Sequence, residues 1–108
     1  MANYLGNAFS MSMLHHDGEV IIHRRPLTQA EFALAIPQCT SIVGHQDTCN
    51  ILEKLFGEPV AYNRVTTSLT PDDTLYLAQY QGPRLPEGAI SLPEGAKLEW
   101  FVITVEFK

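Results

Sequence analysis

The stretch LEWFVITVEF, residues 98–107, decides the fold, because apolar and β-branched residues continue through its whole length. Successive side chains of a strand point to opposite sides of a sheet. One side therefore carries Phe101, Ile103, Val105 and Phe107, and the other carries Trp100, Val102 and Thr104. Since both sides are apolar enough to be covered, we predict a long strand that is central in its sheet or lies at a dimer seam.

Shorter strands precede it, each bounded by residues that favour turns. The β-branched and aromatic content predicts strands at Tyr4–Phe9, Glu19–Arg25, Thr40–Val43, Tyr62–Ser68 and Leu75–Tyr80. Proline has no N–H to donate to a neighbouring strand, so we expect Pro26 to stop the second of these.

Two helices are predicted between the strands. Thr28 and Glu31 have the spacing of a capping box, which indicates a helix that begins there and runs to about Ile36. A second helix is predicted over Asp47–Phe56, where apolar residues recur with helical period, and Gly57 suits its C-terminal end.

Strands and helices thus interleave, which predicts an α/β (α+β) fold with one mixed sheet flanked by helices. The length of 108 residues fits a single compact domain over residues 1–108. Residues 81–96 hold three prolines and three glycines and predict a long ordered loop, in which LPEGA occurs at 85–89 and again at 92–96.

Composition narrows the class of function. A net charge of −5 argues against a protein that coats long DNA or RNA, although a small phosphate ligand could still meet a locally basic pocket. The apolar runs are too short for a membrane span, and the first residues lack the pattern of a signal peptide, so we expect a cytoplasmic protein. Cys39 and Cys49 are expected to be free, buried thiols.

His45 is the first candidate for chemistry. It follows Gly44, between a predicted strand and the start of a predicted helix. A helix N-terminus offers unpaired N–H groups and a positive dipole to phosphate, and a histidine exchanges a proton near neutral pH. The pattern alone favours the interpretation of His45 as a solvated loop residue or a partner of the helix cap.

Arg84 and Glu87 are the second candidates, in a loop whose backbone is restricted by proline. The arginine could clamp a phosphate and the carboxylate could act as a base or hold the arginine, but an exposed pair of little consequence fits as well. The local contexts of Glu87 and Glu94 are nearly the same, so neither is preferred by its surroundings.

A metal site is not expected. His15, His16 and Asp17, with His23 nearby, do not have the spacing of a zinc motif. The sequence has no carboxylate cluster of the kind that binds two metal ions and no glycine-rich nucleotide loop, so no cofactor is predicted either.

Four short motifs occur together in order: NAFSMSML at 7–14, GHQDT at 44–48, NRV at 63–65 and RLPEG at 84–88. With them the chain resembles the viral ring-nuclease family of type III anti-CRISPR proteins, which also has cellular and prophage members. The resemblance covers nearly the whole chain. It implies a homodimer that binds cyclic tetra-adenylate across its two-fold axis and cleaves it without metal to linear di-adenylate with a 2′,3′-cyclic phosphate.

The resemblance also implies roles for individual residues. His45 would be the general acid, Arg84 and Glu87 its active-site partners, and Ser10 would position the ribose or phosphate. Ligand contacts are implied for Asn7, Ser12, Arg64 and Gln79, although relatives are expected to have asparagine at the position of Ser12. The alternative function is a non-catalytic dimer that binds a nucleotide signal or a host protein.

Overall fold

Five strands form one mixed sheet in a computed structural model that describes residues 2–85, 88–89 and 91–108. The strands are β1 (Asn3–Gly6), β2 (Val20–Leu27), β3 (Thr40–Ser41), β4 (Thr74–Gln81) and β5 (Lys97–Phe107). Their order across the sheet is β2-β5-β4-β1-β3. β5 is antiparallel to both of its neighbours, whereas β1 is parallel to β3 and β4. The predicted α+β class with a mixed sheet is confirmed.

The predicted alternation of β5 is the basis of both layers of the core. Ile103 and Val105 are only 3% and 2% exposed on one face, while Leu98 and Trp100 pack into a separate cluster on the other. Because β2 and β4 pair with its two edges, β5 is an interior strand, and a dimer seam formed through its edge is excluded.

Two helices cover the face of the sheet to which Trp100 points; we call it the helical face. The first, α1 (Gln29–Ala35), begins with the predicted capping box: the Thr28 hydroxyl accepts from the Glu31 N–H, and the Glu31 carboxylate accepts from the Thr28 N–H. The second, α2 (Gln46–Phe56), ends where Gly57 adopts a left-handed conformation with φ of 69°. Both predicted helices are confirmed.

An aromatic cluster joins the two helices to the sheet. The rings of Phe32 in α1 and Phe56 in α2 lie 4.7 and 5.4 Å from the ring of Trp100 in β5, centroid to centroid, and 5.7 Å from each other. Tilted and edge-on arrangements of this kind are favourable for aromatic pairs beyond the area that they bury. The cluster fixes where α2, and hence its N-terminus, sits on the sheet.

The opposite face, which we call the open face, is covered by irregular chain instead of helices. A single 3₁₀ turn at Met11–Met13 follows β1, and the Leu69 N–H donates to the carbonyl of Met13 over 2.8 Å. Met13, Leu14 and Leu69 pack on the apolar residues of this face. These residues cover the open face only in part, and a groove remains on the same face.

The strand predicted at Tyr62–Ser68 is wrong, because these residues are irregular. The neighbouring β3 has only two residues, so there is little backbone for a further strand to pair with. Two of the bonds that hold the segment involve Ser41: its hydroxyl donates to the Ala61 carbonyl, and its own carbonyl accepts from the Asn63 side chain. The β-branched content reflected an exposed extended segment.

Three strand boundaries differ from the sequence prediction. β1 ends at Gly6 and β3 at Ser41, earlier than expected, because the chain turns there towards the candidate site. β2 does not stop at Pro26 but continues to Leu27, with Pro26 opposite Phe101. β2 is an edge strand with only one side hydrogen-bonded, and such a strand tolerates a proline.

The loop between β4 and β5 has a glycine with positive φ at the same place in both copies of LPEGA. Gly88 and Gly95 are equivalent positions of the two LPEGA copies, and both have positive φ, at 79° and 82°. In the second copy the Ala96 N–H donates to the Pro93 carbonyl, which closes a turn that needs glycine at its third residue. The positions of Pro86, Glu87 and Ile90 lie outside the described residues.

The two cysteines are free, with Cys49 buried and Cys39 partly buried. Burial raises the pKa of the Cys39 thiol to about 11 and also raises the pKa of Cys49. Both thiols are therefore poorly reactive at neutral pH. Among the described residues, no helix is long and apolar enough to cross a membrane.

We expect Thr28→Ala to lower the free energy of unfolding by about 1 kcal/mol, because the Glu31 N–H loses its capping oxygen. Hydrogen bonds from the backbone and the side chain of Thr28 lower the pKa of Glu31 below its ordinary 4.5. The stabilisation that the Glu31 carboxylate adds to the capping box is therefore present above that pH and is lost as the pH falls through the lowered value. Urea denaturation at pH 7 and pH 3 measures both effects. The exposed Thr66→Ala is the control, and equal stability of the two variants at pH 7 would contradict the assignment.

Candidate active site

His45 occupies the N-cap position of α2, in extended backbone with φ of −139° and ψ of 116°. Its side chain is exposed and makes no capping hydrogen bond to the helix. The side chain is therefore available to a ligand, while the positive end of the α2 dipole lies directly behind it. The interpretation of His45 as a side-chain partner of the helix cap does not hold.

Arg64 is brought to His45 by the irregular segment that follows α2. The Asn63 N–H donates to the Val43 carbonyl over 2.9 Å, which fixes the backbone one residue before the arginine. A Cβ atom on Gly44 would lie 3.1 Å from Cγ of Arg64, so the glycine leaves room for the arginine stem to lie against it. Arg64 and His45 consequently line the same cavity.

Asn7 is a third polar residue beside His45 and Arg64. It comes directly after β1, and its side-chain oxygen accepts a hydrogen bond from the Gly44 N–H over 3.3 Å. The bond ties the end of β1 to the turn that leads into α2. Asn7 consequently positions the backbone of the site, in addition to any contact with ligand.

These residues surround one cavity of about 330 Å³. The described lining consists of Asn7, Ala8, Met13, Ile42, Gly44, His45, Arg64 and Val65. A volume in this range and an apolar wall with few polar groups are typical of small-ligand sites. The polar groups here are a proton carrier, a cation and an amide, next to a helix N-terminus, which together suit an anionic ligand such as a phosphate diester.

The loop between β4 and β5 reaches the same helix end. The Gly88 N–H donates to a carboxylate oxygen of Asp47, in the first turn of α2, over 3.2 Å. This contact places the first LPEGA copy, and not the second, beside the residue that follows His45 by two. Arg84 is exposed on that loop and lines none of the cavities described here, and Glu87 lies outside the described residues.

Two predicted ligand contacts face one another instead of the cavity. The hydroxyl groups of Ser10 and Ser12 lie 2.7 Å apart, and the Ser10 hydroxyl accepts from the Ser12 N–H as the cap of the 3₁₀ turn. Both are exposed and are not among the lining residues. Gln79 lines the neighbouring groove on the open face.

The other histidines lie elsewhere. The His16 ring stacks on Phe107 with centroids 4.3 Å apart, and its Nε2 atom is bonded to the Lys108 carbonyl. His23 pairs with Glu106 over 3.1 Å at the far edge of the sheet. In the described part of the chain, no three His, Cys, Asp or Glu side chains come together as a metal site would require.

Sequence reasoning gave no individual role at this site to Asp47 or Val65, whereas it did single out Gly44. The acidic residue in the first turn of α2 was a normal helix feature, and only the long-range bond to Gly88 gives it a second role. A glycine directly before a helix indicated that another part of the chain could approach closely there. The sequence did not show that the stem of Arg64 would be that part.

The fold and site define an α+β protein with a mixed five-stranded sheet in the described residues and a polar cavity at the N-terminus of one helix. The chain belongs to the STIV B116-like family, whose sequence model matches residues 3–100. Among solved structures it is similar to B116 of Sulfolobus turreted icosahedral virus, with 24% sequence identity and a TM-score of 0.80 over 96% of this chain and 99% of that one. At that identity, the likeness shows a common fold. No curated protein matches the chain.

We expect Asn7→Ala to lower the free energy of unfolding by about 1 kcal/mol and to speed hydrogen exchange at Gly44, since the Gly44 N–H loses its acceptor. Asn7→Asp keeps an oxygen at that position and should retain wild-type protection. Urea denaturation and amide exchange by NMR measure the two effects. If Asn7→Ala matched the wild type in both, Asn7 would not position this backbone.

Proposed function

We propose that this protein is a metal-independent ring nuclease that binds cyclic tetra-adenylate and cleaves it to linear di-adenylate, switching off type III CRISPR signalling in the cytoplasm of a prokaryotic cell. The observation that carries the proposal is the meeting of His45, Arg64 and the N-terminus of α2 around one cavity. A viral copy of the protein would act as an anti-CRISPR protein.

The reaction uses a nucleophile that belongs to the ligand. The ribose 2′-oxygen attacks the adjacent phosphorus, the new 2′-O–P bond forms, and the bond from phosphorus to the 5′-oxygen breaks. The 2′-hydroxyl proton leaves to a base or to water, and His45 gives a proton to the departing 5′-oxygen. The product end is a 2′,3′-cyclic phosphate, and no oxidant or metal enters the balance. A positioned acid of this kind contributes roughly 10²- to 10⁴-fold in rate.

Negative charge on the reacting phosphate requires a local cation, which a chain of net charge −5 does not supply on average. Arg64 lines the cavity, and Arg84 lies on the loop that Gly88 ties to Asp47. Preorganised charges around a developing oxyanion are a large term in catalysis because they need no reorganisation during the reaction. In this proposal, Arg84 clamps the phosphate, and Glu87 serves as its partner or as the base.

An exposed apolar patch beside the cavity supports a homodimer. Met11 is 73% and Val65 51% exposed, and the segments that carry them are joined by the bond from Leu69 to Met13. Pairing two such patches about a two-fold axis would bring two cavities together, and identical half-sites suit a ring of identical halves. The apolar patch would then be buried in the seam.

We expect the wild type to cleave labelled cyclic tetra-adenylate in the presence of EDTA. His45→Ala should slow single-turnover cleavage by about 100-fold or more, with nearly unchanged binding, because a general acid acts in the transition state. Arg84→Ala should weaken both binding and rate, because a phosphate clamp acts before and during the reaction.

His15→Ala is the matched control, because His15 is exposed on the loop between β1 and β2. This variant should cleave at the wild-type rate. Loss of activity in EDTA that Mg²⁺ or Mn²⁺ restores would refute the metal-independent mechanism. Binding of the ring without any turnover would favour the alternative of a signal-sequestering protein.

We expect the wild type to be a dimer by light scattering, and Val65→Asp to shift it towards the monomer, because each seam would acquire two buried carboxylates. Leu34→Asp is the control: Leu34 is 76% exposed on α1, away from the cavity. A monomeric wild type, with or without cyclic tetra-adenylate, would rule out this seam. Equal dissociation of the Val65→Asp and Leu34→Asp dimers would also rule out this seam.

A further inference from the structure

A second cavity lies on the open face of the sheet, outside the site described above. It is a groove of about 440 Å³ across the three strands β2, β5 and β4. Its floor is apolar, with Leu77 and Ile103 both buried and Phe101 half-buried between them. Phe9 and the exposed Ile22 form its walls. No described helix covers this face, so the groove is open to a flat ligand.

The groove contains an arginine that is held over an aromatic ring. The guanidinium carbon of Arg24 lies 4.6 Å from the centroid of the Phe101 ring, within the range of a cation–π contact. The register explains the contact, since Pro26 is directly opposite Phe101 and Arg24 is two residues away on the same face. Aromatic rings and guanidinium planes are the two protein surfaces on which nucleic-acid bases stack.

Polar groups line the groove where the apolar floor ends. Gln79 and Glu99 are directly opposite each other on β4 and β5 and share the open face. The Gln81 amide donates to one oxygen of the Glu99 carboxylate, which holds that carboxylate in place. An amide that both donates and accepts is the common partner of adenine, and a carboxylate accepts from an exocyclic amino group.

The groove is continuous with the candidate active site along the chain. Asn7 and Ala8 line the cavity at His45, and the next residue, Phe9, lines the groove. Gly6, at the end of β1, is paired with Leu77 in the groove floor. The two cavities therefore border the same short segment, residues 7–9.

We propose that the groove on the open face binds a purine base that carries an exocyclic amino group, with the base stacked against Arg24 and Phe101 and its edge bonded to Gln79 and Glu99. The assignment of that base to an adenine of the cyclic ligand rests on the proposed function. The groove binds a base whether or not the protein is a nuclease, because this part of the proposal rests only on the residues of the groove. Arg24, Phe101 and Glu99 determine its specificity.

The test uses adenosine 5′-monophosphate, inosine 5′-monophosphate and ribose 5-phosphate as probes of the ¹⁵N-labelled full chain. Adenosine monophosphate should shift the amide signals of Leu77, Phe101 and Ile103, and ribose 5-phosphate should not. Inosine monophosphate should bind more weakly, because its carbonyl would face the Glu99 carboxylate where adenine has an amino group. Shifts confined to the surroundings of His45, or equal affinity for the two purines, would overturn the proposal.

Arg24→Gln and Arg25→Gln form a matched pair for the same titration. The two arginines are adjacent and exposed, but Arg25 points to the helical face and lies 3.8 Å from Glu31. Arg24→Gln should weaken binding of adenosine monophosphate by at least about fivefold, in line with the loss of one stacking partner. Arg25→Gln should bind as the wild type does. Equal affinities of the two variants would refute the role of the Arg24–Phe101 pair.

Phe101→Leu provides a second variant that keeps an apolar side chain in the core, with thermal unfolding recorded alongside to exclude loss of the fold. It should reduce affinity for adenosine monophosphate as Arg24→Gln does; wild-type affinity in a folded Phe101→Leu protein would contradict the stack. Since none of these measurements requires cleavage, the two proposals fail separately. A protein that binds the monophosphate in the groove but never cuts the ring refutes only the nuclease, and one that cuts the ring without groove shifts refutes only the base site.

Discussion

The contact of Phe32 and Phe56 with Trp100 is the interaction on which the rest of the structure depends. It is the place where both helices and the longest strand of the described residues bury their large side chains together. Because Phe56 is the last residue of α2, the packing at that end sets the direction in which the helix runs across the sheet. The other end of the same helix carries His45. A partly buried aromatic contact thus determines where a polar, exposed histidine lies.

The two faces of the sheet are covered by different kinds of structure. The cavity at His45 and the groove at Phe101 lie beside the irregular cover. Helices α1 and α2 pack on the helical face around Trp100 and leave Val102 and Thr104 half-buried beside a further cavity, whereas the open face is covered only by the chain around Met11–Met13 and Leu69. Irregular coverage leaves concave space at its border, which is where loops position binding residues on a rigid scaffold. The cavity at His45 and the groove at Phe101 adjoin the same short segment, residues 7–9. One loop after β1 therefore shapes both.

Charged side chains are distributed unevenly over the molecule, whose net charge is −5. Arg64 and Arg24 each line one of the two cavities, while acidic residues such as Glu31 and Glu106 pair with Arg25 and His23 on the helical face. This arrangement places an arginine in each of the two cavities of a chain that is acidic overall, with the Glu99 carboxylate also in the groove that contains Arg24. It also separates adjacent residues of β2 into two roles, because successive side chains of a strand point to opposite faces.

The sequence by itself determined the elements whose signals are local: the capping box of Thr28 and Glu31, the period and Gly57 stop of α2, and the alternation through residues 98–107. It also placed His45 at a helix start. The resemblance implied Asn7 and Arg64 as further site residues, and only the tertiary structure shows that they line the same cavity as His45 and that Ser10 and Ser12 do not. Tyr62–Ser68 had strand propensity but no partner strand long enough to pair with, and Pro26 was tolerated because β2 lies at an edge. The two LPEGA copies are equal in sequence, and only the bond from Gly88 to Asp47, 41 residues away, distinguishes the first. Caps and periods act within a few residues, whereas strand pairing and loop docking depend on which distant parts of the chain meet.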